Sequence, residues 1–143
     1  METIEIKKIK YTENLNDLKY FFETKCEIST NFFSYFKTRS YECIKNHLVT
    51  NLMYFNNIPV GYSHLDKEDK NVWFGICIAD SFKGKKFGEK LTVYTLSQAA
   101  EYNVHTVSLS VYRENLTAIN LYKKLGFSLF DETDKSFFMK KEI

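Results

Sequence analysis

Val111-Tyr-Arg-Glu-Asn115-Leu-Thr-Ala118-Ile-Asn-Leu121-Tyr122-Lys-Lys-Leu-Gly126-Phe127 is the stretch on which the fold turns. Just upstream, Val104, Val107, Leu109 and Val111 predict a strand over residues 104–111. Residues 115–125 then read as a helix, with Asn115 as its N-cap and Gly126 as the glycine just past its end. Asn115 and Tyr122 are separated by two helical turns, so they share one face about 10 Å apart.

Working outward, the stretch is preceded by a helix over about 86–102 that carries Phe87, Leu91, Tyr94 and Leu96. That helix opens from Ser81-Phe-Lys83-Gly84-Lys85-Lys86-Phe87-Gly88, a polar loop with two glycines. The loop follows Val72-Trp-Phe-Gly75-Ile76-Cys77-Ile78-Ala79, a run apolar enough for a central strand buried on both faces. Earlier still, 49–55 and 59–65 read as strands joined at Asn56-Asn57, and 66–71 as a charged turn. These three strands form an antiparallel meander. The N-terminal part predicts a strand over about 3–10 and a helix carrying Leu15, Leu18, Phe21 and Phe22. Short helices or an ordered loop are expected over the aromatic segment 28–41. Residues 41–48 read as helical, because Ile44, His47 and Leu48 fall at helical spacing. On the other side of the opening stretch, 127–130 and 136–140 close the chain as two strands. The whole reads as one mixed α/β domain over residues 1–143, built around a single sheet.

Composition narrows the function classes. The chain has 143 residues, a net charge of +2, five Gly, one Pro and 17% aromatics, which excludes disordered and low-complexity classes. The charge is too small for a dedicated nucleic-acid binder, whose isoelectric point is usually above about 9. The three cysteines, Cys26, Cys43 and Cys77, lack metal-ligand spacing, so no metal is expected and a reducing compartment fits. Without a signal peptide or a membrane-length apolar run, the chain reads as cytoplasmic, with no membrane partner.

The loop at 80–88 has two readings. A phosphate would suit it, because free N–H groups at a helix start, the helix dipole, small residues and lysines all favour an anion. A solvated basic loop that only starts a helix is the plainer reading. The spacing fits neither a P-loop nor a dinucleotide fingerprint.

Lys83-Gly-Lys-Lys86-Phe-Gly88 resembles the loop [Q/R]-x-x-G-x-[G/A] of the GNAT superfamily of acyl-CoA-dependent N-acyltransferases. It departs with Lys83 at the Gln/Arg position and Lys86 at the first pattern glycine. The second segment is similar to that family's N-x-x-A-x-x-L-Y-x-x-x-G-F motif, at Asn115, Ala118, Leu121, Tyr122, Gly126 and Phe127. The resemblance covers about residues 55–130 and leaves 12–48 without a signature.

The resemblance implies a mostly antiparallel sheet flanked by helices, with a V-shaped gap between two parallel central strands, here 72–79 and 104–111. It implies acetyl-CoA as co-substrate. The backbone of Ile76, Cys77 and Ile78 would meet the thioester. Lys83, Gly84, Lys85, Lys86, Phe87 and Gly88 would hold the pyrophosphate. Asn115 and Tyr122 would touch the cofactor arm and its sulfur end, with Tyr122 protonating the leaving thiolate. Otherwise Asn115 is a plain N-cap and Tyr122 a half-buried aromatic. Cys77 reads as a small buried residue, since the family transfers acyl groups without a covalent enzyme intermediate.

The base is open among His64, Asp66 and Glu68, with His47 behind them. His64 titrates near neutrality, but it could equally be a histidine bonded within the sheet. The acceptor is expected to be a small-molecule amine. Residues 44–76 resemble family members of amino-sugar and surface-polysaccharide pathways, which suggests a nucleotide-linked amino sugar. A protein N-terminus or lysine, a non-catalytic acyl-CoA sensor and a nucleic-acid module at Lys83–Lys90 are the rival readings. A monomer or homodimer is expected.

Overall fold

The computed structural model describes residues 2–143. Seven strands form one sheet: β1 (Ile4–Lys8), β2 (His47–Phe55), β3 (Ile58–Glu68), β4 (Asn71–Ile78), β5 (Thr106–Tyr112), β6 (Ser128–Glu132) and β7 (Ser136–Glu142). Their order is β1-β2-β3-β4-β5-β7-β6. Three α-helices accompany them: α1 (Tyr11–Tyr20), α2 (Phe87–Glu101) and α3 (Leu116–Lys124).

Every neighbouring pair is antiparallel except β4 and β5. A parallel neighbour needs a crossover, and α2 provides it. β3 and β4 stay in register from Gly61↔Ile78 to Glu68↔Asn71, and β5 and β7 from Thr106↔Glu142 to Tyr112↔Ser136. β4 and β5 meet only at Trp73↔Ser108. Beyond that point the two strands part, and the backbone edges of 75–78 and 110–112 lose each other as partners. This is the V-shaped gap of the expected fold.

Two apolar cores pack on the sheet, and the second runs across the β4–β5 junction. Leu18, Phe21, Leu52, Tyr62, Phe87 and Leu91 fill one, under β1–β3. Leu65, Phe74, Val107, Leu109, Phe127 and Met139 fill the other. Half-buried Ile76 packs against both, at the gap. A buried polar cluster fixes α2 over β2 and β3. Asn51 and Gln98 exchange amide hydrogen bonds of 2.7 and 3.1 Å, while Asn51 also donates to Ser63 at 3.0 Å. A hydrogen bond of 2.7 Å joins the Ser63 and Thr95 hydroxyls. Such a cluster tolerates burial because its polar atoms are paired; among the described residues no buried side-chain N or O atom lacks a partner.

Two local expectations are corrected. Residues 41–48 are not one helix: a 3₁₀ helix covers Tyr41–Asn46, and His47 already pairs with Asp66 as the first residue of β2. The charged run 66–71 is not all turn. β3 continues to Glu68, and the reversal is left to Asp69 and Lys70, with Asp69 at φ 54°. In the aromatic segment, Phe33 and Phe36 pack with Phe22 and Tyr62 around the first core, whereas Tyr35 turns toward the gap. No helix among the described residues is long and apolar enough to cross a membrane.

Candidate active site

The parting of β4 and β5 opens a groove of about 940 Å³. One end is built by the loop before α2. Gly84 (φ 77°) faces open space, and Lys86 (φ 64°) stands immediately before the first turn of α2 in left-handed conformation. No side chain caps α2 among the described residues, so its first amides remain free for an anion. A Cβ on Gly88 would meet only Ile78, at 3.8 Å, which leaves room for a close approach. Lys83, Gly84, Lys86, Phe87 and Gly88 all line the groove. The Lys85 side chain does not; its ammonium lies 5.5 Å from the centre of the Phe82 ring. Glu89 puts a carboxylate in the same first turn. It is paired with Lys124 at 2.8 Å, and that hydrogen bond holds its carboxyl below the usual range.

Ile76, Cys77 and Ile78 form the β4 wall, opposite Ser110, Val111 and Tyr112. Cys77 is buried, and the Cys26 thiol and burial push its own thiol well up, so it stays protonated. Asn115 caps α3, accepting from the Ala118 amide at 3.4 Å, and lines the groove with Ala118, Leu121 and Tyr122. The Tyr122 ring is buried, edge-on to Phe74 at 6.2 Å and tilted on Phe127 at 5.7 Å. Its hydroxyl has no protein partner among the described residues. Burial holds that hydroxyl well above its ordinary range, so it stays protonated at neutral pH.

The other end of the groove is acidic and aromatic: Asp66, Glu68, Tyr35, Trp73, Tyr112 and Phe138 line it. The segment before β2 lies along the groove, held by Asp80 just past the end of β4 and reaching Asp66 through Tyr35. Asp80 accepts from the Ile28 and Ser29 amides at 2.9 and 2.7 Å, and Ser34 bonds Tyr112 across the groove at 3.1 Å. Tyr35 donates to Asp66 at 2.7 Å and bonds His47 Nε2 at 2.7 Å. Local spacing carries no signal for this triplet, because Tyr35 reaches it from a segment with no recognisable pattern.

His64 lines the groove but is buried in the sheet, with Nδ1 at 2.7 Å from the Tyr62 hydroxyl. A Cβ on Gly75 would fall 2.5 Å from His64 Nε2, so glycine at 75 is what lets the imidazole lie across β4. Burial, then His47 and Arg39, hold His64 neutral far below its ordinary range. Exposed Glu68 sits at the end of β3. Among the described residues no cluster of His, Cys, Asp and Glu is arranged to hold a metal ion.

A model of the acetyltransferase (GNAT) family matches residues 11–127. The chain belongs to this family. Solved GNAT structures superpose along nearly its whole length. The PaiA N-acetyltransferase of Thermoplasma acidophilum, in complex with coenzyme A, gives a TM-score of 0.75 at 19% identity, covering 99% of each chain. The ribosomal-protein-S18-alanine N-acetyltransferase of Escherichia coli gives 0.75 at 16%, covering 99% of this chain and 94% of that one. At such identities the likeness speaks for the fold alone. A spermine/spermidine N(1)-acetyltransferase of Bacillus subtilis is 29% identical over 92 residues, 57% of this chain and 60% of that protein. The chain thus spans under two-thirds of the length of this curated relative.

Proposed function

We propose that the protein is an N-acetyltransferase that moves the acetyl group of acetyl-CoA to a cationic primary amine. The observation that carries this is the single groove, which runs from the uncapped start of α2, past Tyr122, to the carboxylates of Asp66 and Glu68. Its residues suit each part of the co-substrate. The amides at 87–89, with Lys83 and Lys86, would take the pyrophosphate. The free backbone of 76–78 would bond the pantetheine arm and polarise the thioester carbonyl, a contribution worth about 3–4 kcal/mol for one well-placed donor. Tyr122 would protonate the departing thiolate, a role typically worth about 10²–10⁴-fold.

For the acceptor, two carboxylates among aromatic faces favour an ammonium group. A nucleotide-linked amino sugar would need cations for its phosphates. The one guanidinium lining that end, Arg39, stacks on Tyr35 at 4.2 Å and donates to the Tyr35 carbonyl at 3.2 Å. A polyamine or another flexible amine therefore ranks before the sugar, in keeping with the acceptor named for the Bacillus subtilis relative.

The test is thiol release from acetyl-CoA across a panel of polyamines, amino sugars and peptide N-termini, with products weighed by mass spectrometry. Tyr122→Phe is expected to lower kcat at least about tenfold while calorimetry finds acetyl-CoA binding unchanged. Acetyl-CoA binding without thiol release with any amine would turn the reading to a sensor.

A further inference from the structure

We propose that Asp66 takes the proton of the attacking amine, and that Tyr35 and His47 are positioning residues that hold its carboxylate at the groove. The inference deepens the acetyl-transfer reading above and rests on it.

The geometry is a chain of hydrogen bonds that all run one way. Tyr35 has one proton and donates it to Asp66 Oδ2 at 2.7 Å. Its oxygen must then accept from His47 Nε2–H, also at 2.7 Å. With Nε2 protonated, His47 Nδ1 accepts from the Thr50 hydroxyl at 2.8 Å. Thr50, His47, Tyr35 and Asp66 thus form one directed series ending on a carboxylate that lines the groove. Three separate pieces of chain converge to make it: the 3₁₀ segment at Tyr35–Lys37, the start of β2 and the end of β3. The register pair His47↔Asp66 fixes two of them against each other.

The same logic removes the histidines as bases. Tyr62 is fully buried and among the described residues His64 is its only hydrogen-bond partner, so its proton goes to His64 Nδ1. His64 then carries its proton on Nε2, the nitrogen that lies against Gly75, and offers the groove a donor. Burial keeps His47 neutral, with its pKa lowered to about 4 despite the pull of Asp66, and Arg39 acts in the same direction as burial. The groups facing the series are Arg39 and Cys43 from the segment before β2, His64 and Tyr62 from β3, and Glu68 at the end of β3. Burial and the bond to Asp66 hold the Tyr35 hydroxyl far above its usual range, so it remains a donor throughout the working pH range.

The step balances. The ammonium first gives one proton to Asp66, which passes it to solvent; the nitrogen lone pair so freed bonds the acetyl carbon, and the carbon–sulfur bond breaks. The nitrogen's second proton goes to Asp66, and the thiolate takes one from Tyr122. Asp66 again releases its proton to solvent, and Tyr122 regains one.

The experiment is the pH profile of kcat/KM, with acetyl-CoA affinity measured separately by calorimetry. Asp66→Asn should lose at least tenfold in kcat/KM, lose the acidic limb of the profile and bind acetyl-CoA as before. Tyr35→Phe removes a donor to the carboxylate, which favours the protonated acid. The acidic limb of its profile should therefore lie at higher pH than in the wild type. His47→Ala should move the limb the same way. His47→Gln, which keeps a donor near Nε2, should restore it. In the wild type, ¹⁵N spectra should show His47 neutral with its proton on Nε2, a readout independent of the acceptor. A Tyr35→Phe profile superimposing on the wild type, an Asp66→Asn enzyme keeping its acidic limb, or a His47 protonated on Nδ1 would each overturn the proposal while acetyl transfer stands. A wild-type protein that binds acetyl-CoA but acetylates no amine overturns both.

Discussion

Lys86 holds φ at 64°, in the region that a side chain opposes by about 1–2 kcal/mol, directly before the first turn of α2. The family pattern has glycine there, so the departure visible in the sequence has a backbone meaning: the loop keeps the left-handed turn and the chain carries a lysine in it. Glycine would relieve the strain and give back about 0.5–1 kcal/mol through its more flexible unfolded state. Lys86→Gly is therefore expected to stabilise the protein by about 0.5–1 kcal/mol in urea titration. It should weaken acetyl-CoA binding by a factor that shrinks as salt rises, because the ammonium it removes acts through solvent. Stabilisation without loss of affinity would leave Lys86 a loop residue only. This position was legible because it sits inside a motif of fixed spacing. Tyr35 was not legible: its partners His47 and Asp66 lie 12 and 31 positions away, and only the folded sheet brings them together. His64 was legible as a groove residue but not in its protonation, which depends on Tyr62 and on the absence of a side chain at Gly75.

Most elements were readable from the period of their apolar residues, including the crossover helix α2 and the strand–helix pair β5–α3. The errors fell where local pattern and sheet pairing disagree. Ile44, His47 and Leu48 have helical spacing, yet β3 is long enough to draw His47 into the ladder opposite Asp66. The charged end of β3 looked like a turn because its side chains are solvated, while its backbone pairs with β4 as far as Glu68↔Asn71. The segment before β2 has no period at all, since it is held by point contacts. One of these is testable by pH. Burial alone would raise the Asp80 carboxyl, but hydrogen bonds from Ile28 and Ser29 outweigh it and hold the group below its ordinary value. A carboxyl depressed on folding stabilises the fold above its unfolded pKa of about 3.9, and that contribution is lost as pH falls through the folded value. NMR protection of the Ile28 and Ser29 amides should thus be full near neutrality and fade as pH drops below about 4. In Asp80→Asn it should be weak at every pH. Protection in that variant equal to the wild type would remove Asp80 as the clamp.

At the scale of the molecule, two apolar cores share one sheet that is joined across its middle by a single parallel register point, Trp73↔Ser108. The half with β1–β4 holds Asp66, the two groove histidines and the β4 wall. The half with β5–β7 and α3 holds Asn115 and Tyr122. Catalysis as proposed needs both halves at fixed separation, yet the backbone hydrogen bonds that would fix it are missing where the strands part. An elongated co-substrate in the gap would supply them, bonding 75–78 on one side and packing on α3 on the other. Acetyl-CoA at about 100 times its Kd should therefore stabilise the protein by about 2.7 kcal/mol, as mass action requires of any ligand specific to the native state. The distribution of that gain is what distinguishes a bridge from simple binding. Hydrogen exchange should slow most at 75–78, at 110–112 and in the first turn of α2. The β1–β2 ladder, already paired from Ile4↔Phe55 to Lys8↔Asn51, should change least. Uniform slowing across the sheet would mean that the halves already move as one body, with the ligand adding only its binding energy. Slowing confined to the α2 loop would mean that the pyrophosphate end binds while the thioester end leaves the gap open.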